Sequence, residues 1–342
     1  MSGRIKVGII GFGKMGQIRK GVVDHNPDLS LEAICDPVLP AQNETPECKM
    51  LRDYRELLKE DLSAVLVCTP NKFTPEIVTS ALNHNKHVFC EKPPGRNIDD
   101  IQSIIKAEQN NKGLKLKFGF NHRYHGAIIE AKAIIESGRL GKILWMRGIY
   151  GKSGGPNFEK TWRNQREIAG GGILLDQGIH MVDLFRMFCG DFHELKSFVT
   201  NSYWNTDVED NAMAILRNNR GQIAMIHSSA TQWKHTFSLE ISLEEGYLII
   251  SGILSSTLSY GQGERLIVAT KQPENRGFAL GNPREELTYF NQDRSWELEI
   301  DDFVNCIKND RPVTTGSSQD AVKAMEMVYR IYAADDKWGG RS

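Results

Sequence analysis

Val7-Gly8-Ile9-Ile10-Gly11-Phe12-Gly13-Lys14-Met15-Gly16 is the stretch on which the reading of this chain turns. An apolar run opens it, and three glycines spaced G-x-G-x-x-G close it just before a helical pattern from about Met15 to His25. Asn26-Pro27 stops that helix, because proline disfavours helical geometry in the residue before it. Between a strand and a helix each glycine has its own task. Gly11 makes the tight turn, Gly13 lets backbone approach a pyrophosphate, and Gly16 lets helix and strand pack closely, while the helix N-terminus attracts the anion. Asp36 ends the next apolar run about 20 residues on, where a carboxylate meets the adenosine ribose hydroxyls of a dinucleotide. Pro37-Val38-Leu39 follow, with no Arg or Lys to receive a ribose 2′-phosphate, so NAD is favoured over NADP.

Working outward, short apolar runs at Ile5 to Ile10, Leu31 to Cys35, Ala64 to Cys68, His87 to Cys90 and Leu114 to Phe118 alternate with helical segments. That rhythm predicts a doubly wound parallel sheet of the Rossmann type over residues 1–122. Helix formers at helical spacing fill Gly126 to Ser137, and Gly138 supplies the stop. Longer alternating stretches then appear: Ile143 to Tyr150, Leu195 to Tyr203, Ala212 to Leu216, Gln222 to His227 and Phe237 to Leu243. They predict a second, α+β domain over residues 123–342 with a large, mostly antiparallel open sheet. One helix, about Ile173 to Cys189, interrupts it; two more, about Trp296 to Asn309 and Ser318 to Ala334, close the chain and are free to pack on either domain. Ser251 to Pro283 is the least readable stretch.

Composition narrows the function classes. Forty-two Lys and Arg against 43 Asp and Glu leave no overall field for nucleic acid or an anionic membrane surface. No apolar run reaches membrane-spanning length, and the N-terminus enters a strand without a signal core. The six cysteines are scattered with no Cys-x-x-Cys pair, as expected of a cytoplasmic protein.

Two further places carry chemistry. Glu91-Lys92-Pro93-Pro94 ends the strand His87 to Cys90 at the carboxyl edge, where open α/β sheets bind ligands, and the prolines direct the root of Lys92. Gly170-Gly171-Gly172 introduces a helix on which Asp176, His180 and Asp183 can share a polar face between apolar residues. The glycines permit close backbone approach. A plain internal Asp-His pair and a zinc site are the alternatives for this helix, and the chain shows no further ligand cluster for a metal.

Taken in order, Gly11 to Gly16, Cys68-Thr69-Pro70-Asn71, Glu91-Lys92-Pro93, Gly119-Phe120-Asn121-His122-Arg123-Tyr124, Ser137 to Ile143, Trp162-Arg163 and Gly170 to His180 resemble the Gfo/Idh/MocA family of sugar and cyclitol oxidoreductases over nearly the whole chain. The resemblance implies Lys92, Asp176 and His180 as the catalytic set. It implies Thr69, Pro70, Asn71 and Glu91 along the nicotinamide half of the cofactor site, joining Gly11, Phe12, Gly13, Lys14, Met15, Gly16 and Asp36. Trp162 and Arg163 would approach cofactor or substrate, with Asn121, Arg123 and Tyr124 near the cleft. It also implies a homodimer or homotetramer formed through the open sheet. Phe73 departs from the family, many members of which have histidine there.

The expected reaction is hydride transfer between nicotinamide and a secondary alcohol of a sugar, cyclitol or nucleotide-linked sugar. His180 would act as base and Lys92 would stabilise charge on the oxygen. Asp176 would orient His180 or bind a substrate hydroxyl. A non-catalytic dinucleotide-binding sensor or scaffold, a methyltransferase, and an oxidoreductase that recycles a bound nicotinamide are the competing readings. Lys152, Lys160, Arg163 and Arg166 form a basic stretch suited to a diphosphate or carboxylate.

Overall fold

Apolar runs buried on both faces make the first sheet. Its strands are β1 (Ile5–Ile10), β2 (Leu29–Cys35), β3 (Lys49–Leu51), β4 (Ala64–Val67), β5 (His87–Cys90) and β6 (Leu116–Phe118), all parallel, in the order β3-β2-β1-β4-β5-β6. The computed structural model describes residues 3–38, 48–255, 260–271 and 282–341. They fall into two units, Met1–Phe120 with Gln165–Gly170 and Trp296–Met325, and Asn121–Asn164 with Gly171–Ser295 and Glu326–Ser342. In the first unit α1 (Lys14–His25), α2 (Tyr54–Leu57), α3 (Thr74–Asn83) and α4 (Ile98–Asn110) connect the strands. A strand covered on both faces has no use for polar alternation, and Ala64-Val65-Leu66-Val67 is wholly buried. The chain builds outward from β1 to β3, then returns to the other side of β1 for β4 to β6. That reversal opens a crevice beyond the carboxyl ends of β1 and β4.

The second unit rests on eight strands in the order β14-β13-β12-β11-β7-β10-β9-β8. A helix, α5 (Gly126–Glu136), leads into β7 (Ile143–Gly151); α6 (Arg166–Ala169), which groups with the first unit, and α7 (Ile179–Cys189) follow. The remaining strands are β8 (Glu194–Thr200), β9 (Asn211–Arg217), β10 (Ile223–Ser229), β11 (Thr236–Leu243), β12 (Gly246–Ile253), β13 (Tyr260–Thr270) and β14 (Glu285–Phe290). β7 and β10 pair parallel and the other neighbours pair antiparallel.

Alternation lets this sheet bury one face: along β11, Phe237, Leu239, Ile241 and Leu243 point inward. Helices α5 and α7 cover that face, and a Cβ on Gly148 of β7 would stand 2.4 Å from the Met181 sulfur of α7. The opposite face exposes Trp145, Phe198, Met213, Ile215, Ile223, Met225, Leu287 and Tyr289. Strand register sets Phe198 beside Met213, Ile215 beside Met225 and Ile223 beside Trp145.

Two expectations need correction. The helix predicted over Ile173 to Cys189 widens into a π-helical turn at Leu174–Gly178 before α7 begins. Ser228 Oγ donates to the Ile173 carbonyl at 3.1 Å, and Glu209 accepts the Gly172 and Leu174 amides at 2.7 and 2.9 Å, so tertiary partners take over groups a regular helix start would leave to itself or to water. The least readable stretch, Ser251 to Pro283, holds the end of β12 and all of β13; 256–259 and 272–281 lie outside the described residues. β13 hides its pattern by burying a charge. Glu264 points inward to receive the Ala127 amide at 2.8 Å and to face His125 Nδ1 at 2.7 Å.

Of the two closing helices, α8 (Ser295–Lys308) sends Ile300, Phe303 and Val304 into the apolar cluster of Val7, Ile9, Leu66 and Phe89, while α9 (Ser318–Ala333) begins in the first unit and ends in the second. Glu299 of α8 shares a dry site with Arg19 of α1. The guanidinium donates to Glu299 and to Glu91, each at 2.7 Å, and lies 4.3 and 4.8 Å from the ring centres of Phe89 and Trp296. Burial pushes the Glu299 carboxyl up to about 7 in spite of Arg19. Because that value lies above the unfolded one, about 4.3, the group's contribution to stability is complete at lower pH and declines as pH rises toward 7. Arg19→Met, which strands both carboxylates, should lower the unfolding free energy by about 3–5 kcal/mol near pH 8 and by less near pH 5, where Glu299 can carry a proton. Urea denaturation at the two pH values measures both effects.

Candidate active site

The glycine turn is built as its spacing predicts. Gly11 has φ +90°, and a Cβ there would stand 2.7 Å from the Cys68 carbonyl oxygen; one on Gly16 would stand 2.1 Å from the Gly11 oxygen. At Gly13 nothing lies within 4 Å of a Cβ position. Open space therefore meets the start of α1, whose first turn has neither a side-chain cap nor an acid, so its leading amides are available to an anion. Lys14 is exposed and Met15 half-buried beside it. Asp36, just past β2, accepts the Phe12 amide at 2.8 Å and the Val38 amide at 3.0 Å, which ties the second strand to the turn. Leu39 lies outside the described residues.

Beyond β4, Thr69 Oγ1 meets Thr74 Oγ1 at 3.2 Å, and Pro70 is half-buried. Asn71 is buried and donates its amide to the Ala169 carbonyl at 2.7 Å; with Lys72, which pairs with Glu167, it pins the α6 segment to the first unit. Glu91, 7% exposed, is engaged by Arg19. Lys92 is half-buried two residues past the end of β5 and joins Pro93 through a cis peptide bond.

In the second unit the His180 ring is buried and stacks on that of His122, with centroids 3.7 Å apart and planes 14° from parallel. His122 Nε2 lies 3.1 Å from the Tyr150 hydroxyl and Nδ1 lies 3.1 Å from Asn121 Oδ1. Asp176, on the π-helical turn, reaches Lys152 at 3.3 Å and Arg163 at 3.4 Å, and the Arg163 guanidinium lies over the Trp162 ring. Asp183 is fully buried in a two-pronged pair with Arg123 at 2.7 and 2.6 Å.

The polar face read from helical spacing is thus divided by the widened turn. His180 and Asp183 face the 3-10 turn Asn121–Tyr124, where Tyr124 is half-buried, and Asp176 faces Lys152 and Arg163. Two residues of the basic stretch are engaged by an aspartate, Lys160 is exposed, and Arg166 groups with the first unit. The three glycines before the helix approach protein atoms. A Cβ on Gly170 would meet the Arg96 oxygen at 2.1 Å, on Gly171 the Tyr332 hydroxyl at 2.4 Å and on Gly172 the Glu209 oxygen at 2.1 Å. Sequence reasoning does not single out His122 or Tyr150. The His-x-x-His spacing of His122 and His125 was the available signal, whereas Tyr150 reads as an ordinary strand residue.

Residues 5–120 match the model of an oxidoreductase family with an NAD-binding Rossmann fold, and residues 128–249 match the GFO/IDH/MocA C-terminal domain. The chain belongs to the Gfo/Idh/MocA family of oxidoreductases. It is 27% identical over 326 residues to levoglucosan dehydrogenase of Pseudarthrobacter phenanthrenivorans, covering 80% of this chain and 79% of the relative. To myo-inositol 2-dehydrogenase of Thermotoga maritima it is 26% identical over 339 residues, covering 95% and 94%. A solved levoglucosan dehydrogenase in complex with NADH and levoglucosan shares the fold with a TM-score of 0.85 over 98% of this chain and 97% of that one, at 22% identity.

As a Gfo/Idh/MocA oxidoreductase the chain binds NAD, and the open cradle at Gly13, the uncapped start of α1 and the anchored Asp36 fit that dinucleotide. Among the described residues no helix is long and apolar enough to cross a membrane, and no group of three or more His, Cys, Asp or Glu side chains is placed to hold a metal. Gly13→Ala should test the cradle. The backbone there, φ −70°, accepts alanine, so the stability cost at this cap position should stay below about 1 kcal/mol. NADH affinity, measured by fluorescence titration, should fall about tenfold or more.

Proposed function

We propose that the enzyme transfers a hydride between NAD and a secondary alcohol of a sugar, a cyclitol or a nucleotide-linked sugar, with Lys92, Asp176 and His180 as its catalytic set. The observation that carries this reading is the buried, stacked His180 imidazole on the same helical segment as an Asp176 oriented by two cations. The relatives' names support the substrate class, one specifying an anhydro sugar and the other a cyclitol.

Oxidation of a secondary alcohol to a ketone releases a hydride from carbon and a proton from oxygen. Bound NAD supplies the hydride acceptor. The protein must take the proton and hold the alcohol. His180 accepts the hydroxyl proton, a task suited to an imidazole whose ordinary pKa is about 6.5. Lys92 places a cation at the oxygen as negative charge develops there. Asp176 accepts a hydrogen bond from a neighbouring substrate hydroxyl, its carboxylate held by Lys152 and Arg163. Gly11 to Gly16 and Asp36 hold the adenosine and pyrophosphate end of the cofactor; Thr69 and Pro70 border its nicotinamide half. Asn71 and Glu91 act behind that wall through Ala169 and Arg19, Asn121 braces His122, and Arg123 holds Asp183 on the helix that carries His180. Trp162, Arg163 and Tyr124 border the substrate.

The exposed apolar face of the eight-stranded sheet supports a homodimer or homotetramer assembled through it, since an apolar patch of that extent marks an interaction surface. The six free cysteines support a reducing, cytoplasmic setting.

Lys92→Ala and His180→Ala should each lower kcat by about 100-fold or more while NADH binding stays near that of the parent. NAD reduction measured against neutral sugars, cyclitols, sugar acids and nucleotide-linked sugars identifies the substrate, and near-normal turnover in both variants would sink the assignment. Ile215→Glu combined with Met225→Glu should shift the sedimentation coefficient to that of a monomer. An unchanged assembly places the interface elsewhere.

A further inference from the structure

We propose that His122 is a positioning residue for His180: an imidazole held neutral with its proton on Nδ1, whose face sets the plane of the stacked ring and leaves His180 as the member of the pair that takes up a proton. The inference rests on the reading of His180 as the base.

A directed chain of hydrogen bonds fixes the tautomer from both edges of the His122 ring. Ser295 Oγ lies 2.6 Å from Asp293 Oδ1, and a carboxylate only accepts, so the serine proton points there. Toward Asn121, 3.1 Å away, Ser295 Oγ must then accept, which makes the facing atom the amide nitrogen. The Asn121 carbonyl oxygen therefore faces His122, and Nδ1 of the ring donates to it at 3.1 Å. At the other edge stands the buried Tyr150 hydroxyl. Among the described residues its one hydrogen-bond partner is His122 Nε2, at 3.1 Å. Burial holds that phenol well above its ordinary range, so it keeps its proton and donates it to Nε2. Protonating Nε2 would turn two donors against each other in a dry site.

Charged neighbours described within this unit are themselves compensated. Arg123, next in the chain, is paired with Asp183, and His125, whose ring centre lies 5.4 Å from that of His122, faces Glu264. Asp176 is held by Lys152 and Arg163, Tyr260 stands beyond Tyr150, and β11 contributes the apolar ring of Phe237. Two imidazolium rings 3.7 Å apart repel, so the pair holds at most one proton, and the hydrogen-bond chain denies it to His122.

The tautomer can be read directly, without turnover. Long-range proton–nitrogen spectra of the full-length protein carrying 15N-histidine, with the His122 signals assigned by their loss in His122→Gln, should show a neutral Nδ1–H ring that does not titrate between about pH 6 and 8.5. An Nε2–H pattern, or titration of His122 in that range, overturns the proposal. Because this readout needs no substrate, it separates the proposal from the hydride-transfer reading, which stands or falls on Lys92→Ala and His180→Ala.

Kinetics test the positioning role. His122→Ala should lower kcat about tenfold or more with KM within about threefold, and His122→Phe/Tyr150→Phe, which keeps the flat ring and removes the hydroxyl left without an acceptor, should restore most of the loss. A fully active His122→Ala enzyme, or a folded double variant that restores nothing, overturns it.

Discussion

The guanidinium of Arg19 lies in a dry site between two carboxylates and two aromatic rings, and the first unit is organised around keeping that charge compensated. Three separate pieces of chain meet at it. Arg19 belongs to the helix that begins at the glycine turn, Glu91 is the residue before Lys92, and Glu299 belongs to α8 near the far end of the sequence. A buried ion cluster of this kind contributes little net stability compared with apolar side chains, but it tolerates few arrangements, because a displaced partner leaves an unpaired charge in a low dielectric. It therefore couples the dinucleotide-binding turn to the strand end that presents Lys92. Gly119 is part of the same constraint, since a Cβ there would come within 3.0 Å of the Glu91 carboxylate.

A second buried carboxylate does comparable work in the other unit. Glu209 receives the Gly172 and Leu174 amides and the Tyr332 hydroxyl, at 2.7, 2.9 and 2.7 Å. Burial raises its pKa, and those three donors pull against that rise. Together with Ser228 it holds the helix entrance open as a π-helical turn, which directs Asp176 toward Lys152 and Arg163 while His180 and Asp183 turn toward residues 121–124. A regular helix would have kept all three on one stripe. The division gives the segment two kinds of polar environment, one half-exposed and balanced by cations, the other buried and stacked.

How much of this was legible follows from the range of each interaction. The parallel sheet, the turn Gly11 to Gly16, Asp36 and the alternating strands β7 to β11 depend on neighbours within one element or one strand–helix step, and periodicity with glycine spacing reports such local geometry. β13 was not legible because its buried Glu264 breaks the pattern, and that charge is tolerated only where His125 and the Ala127 amide, far away in sequence, come to meet it. The glycines 170–172 were legible as places of close approach, but what approaches them is Arg96, Tyr332 and Glu209.

By itself the sequence determined the fold class, the dinucleotide turn and the residue types at Lys92, Asp176 and His180, because these follow from short-range spacing and from the chemistry of single side chains. Only the tertiary structure decided that Asn71 bonds the Ala169 carbonyl and Glu91 pairs with Arg19, that Asp183 belongs to Arg123, and that His122 lies flat on His180. Each of those assignments depends on hydrogen bonds and ion pairs whose partners are distant along the chain. A buried polar group takes whichever partner the fold brings within reach, and no local pattern records which one that is.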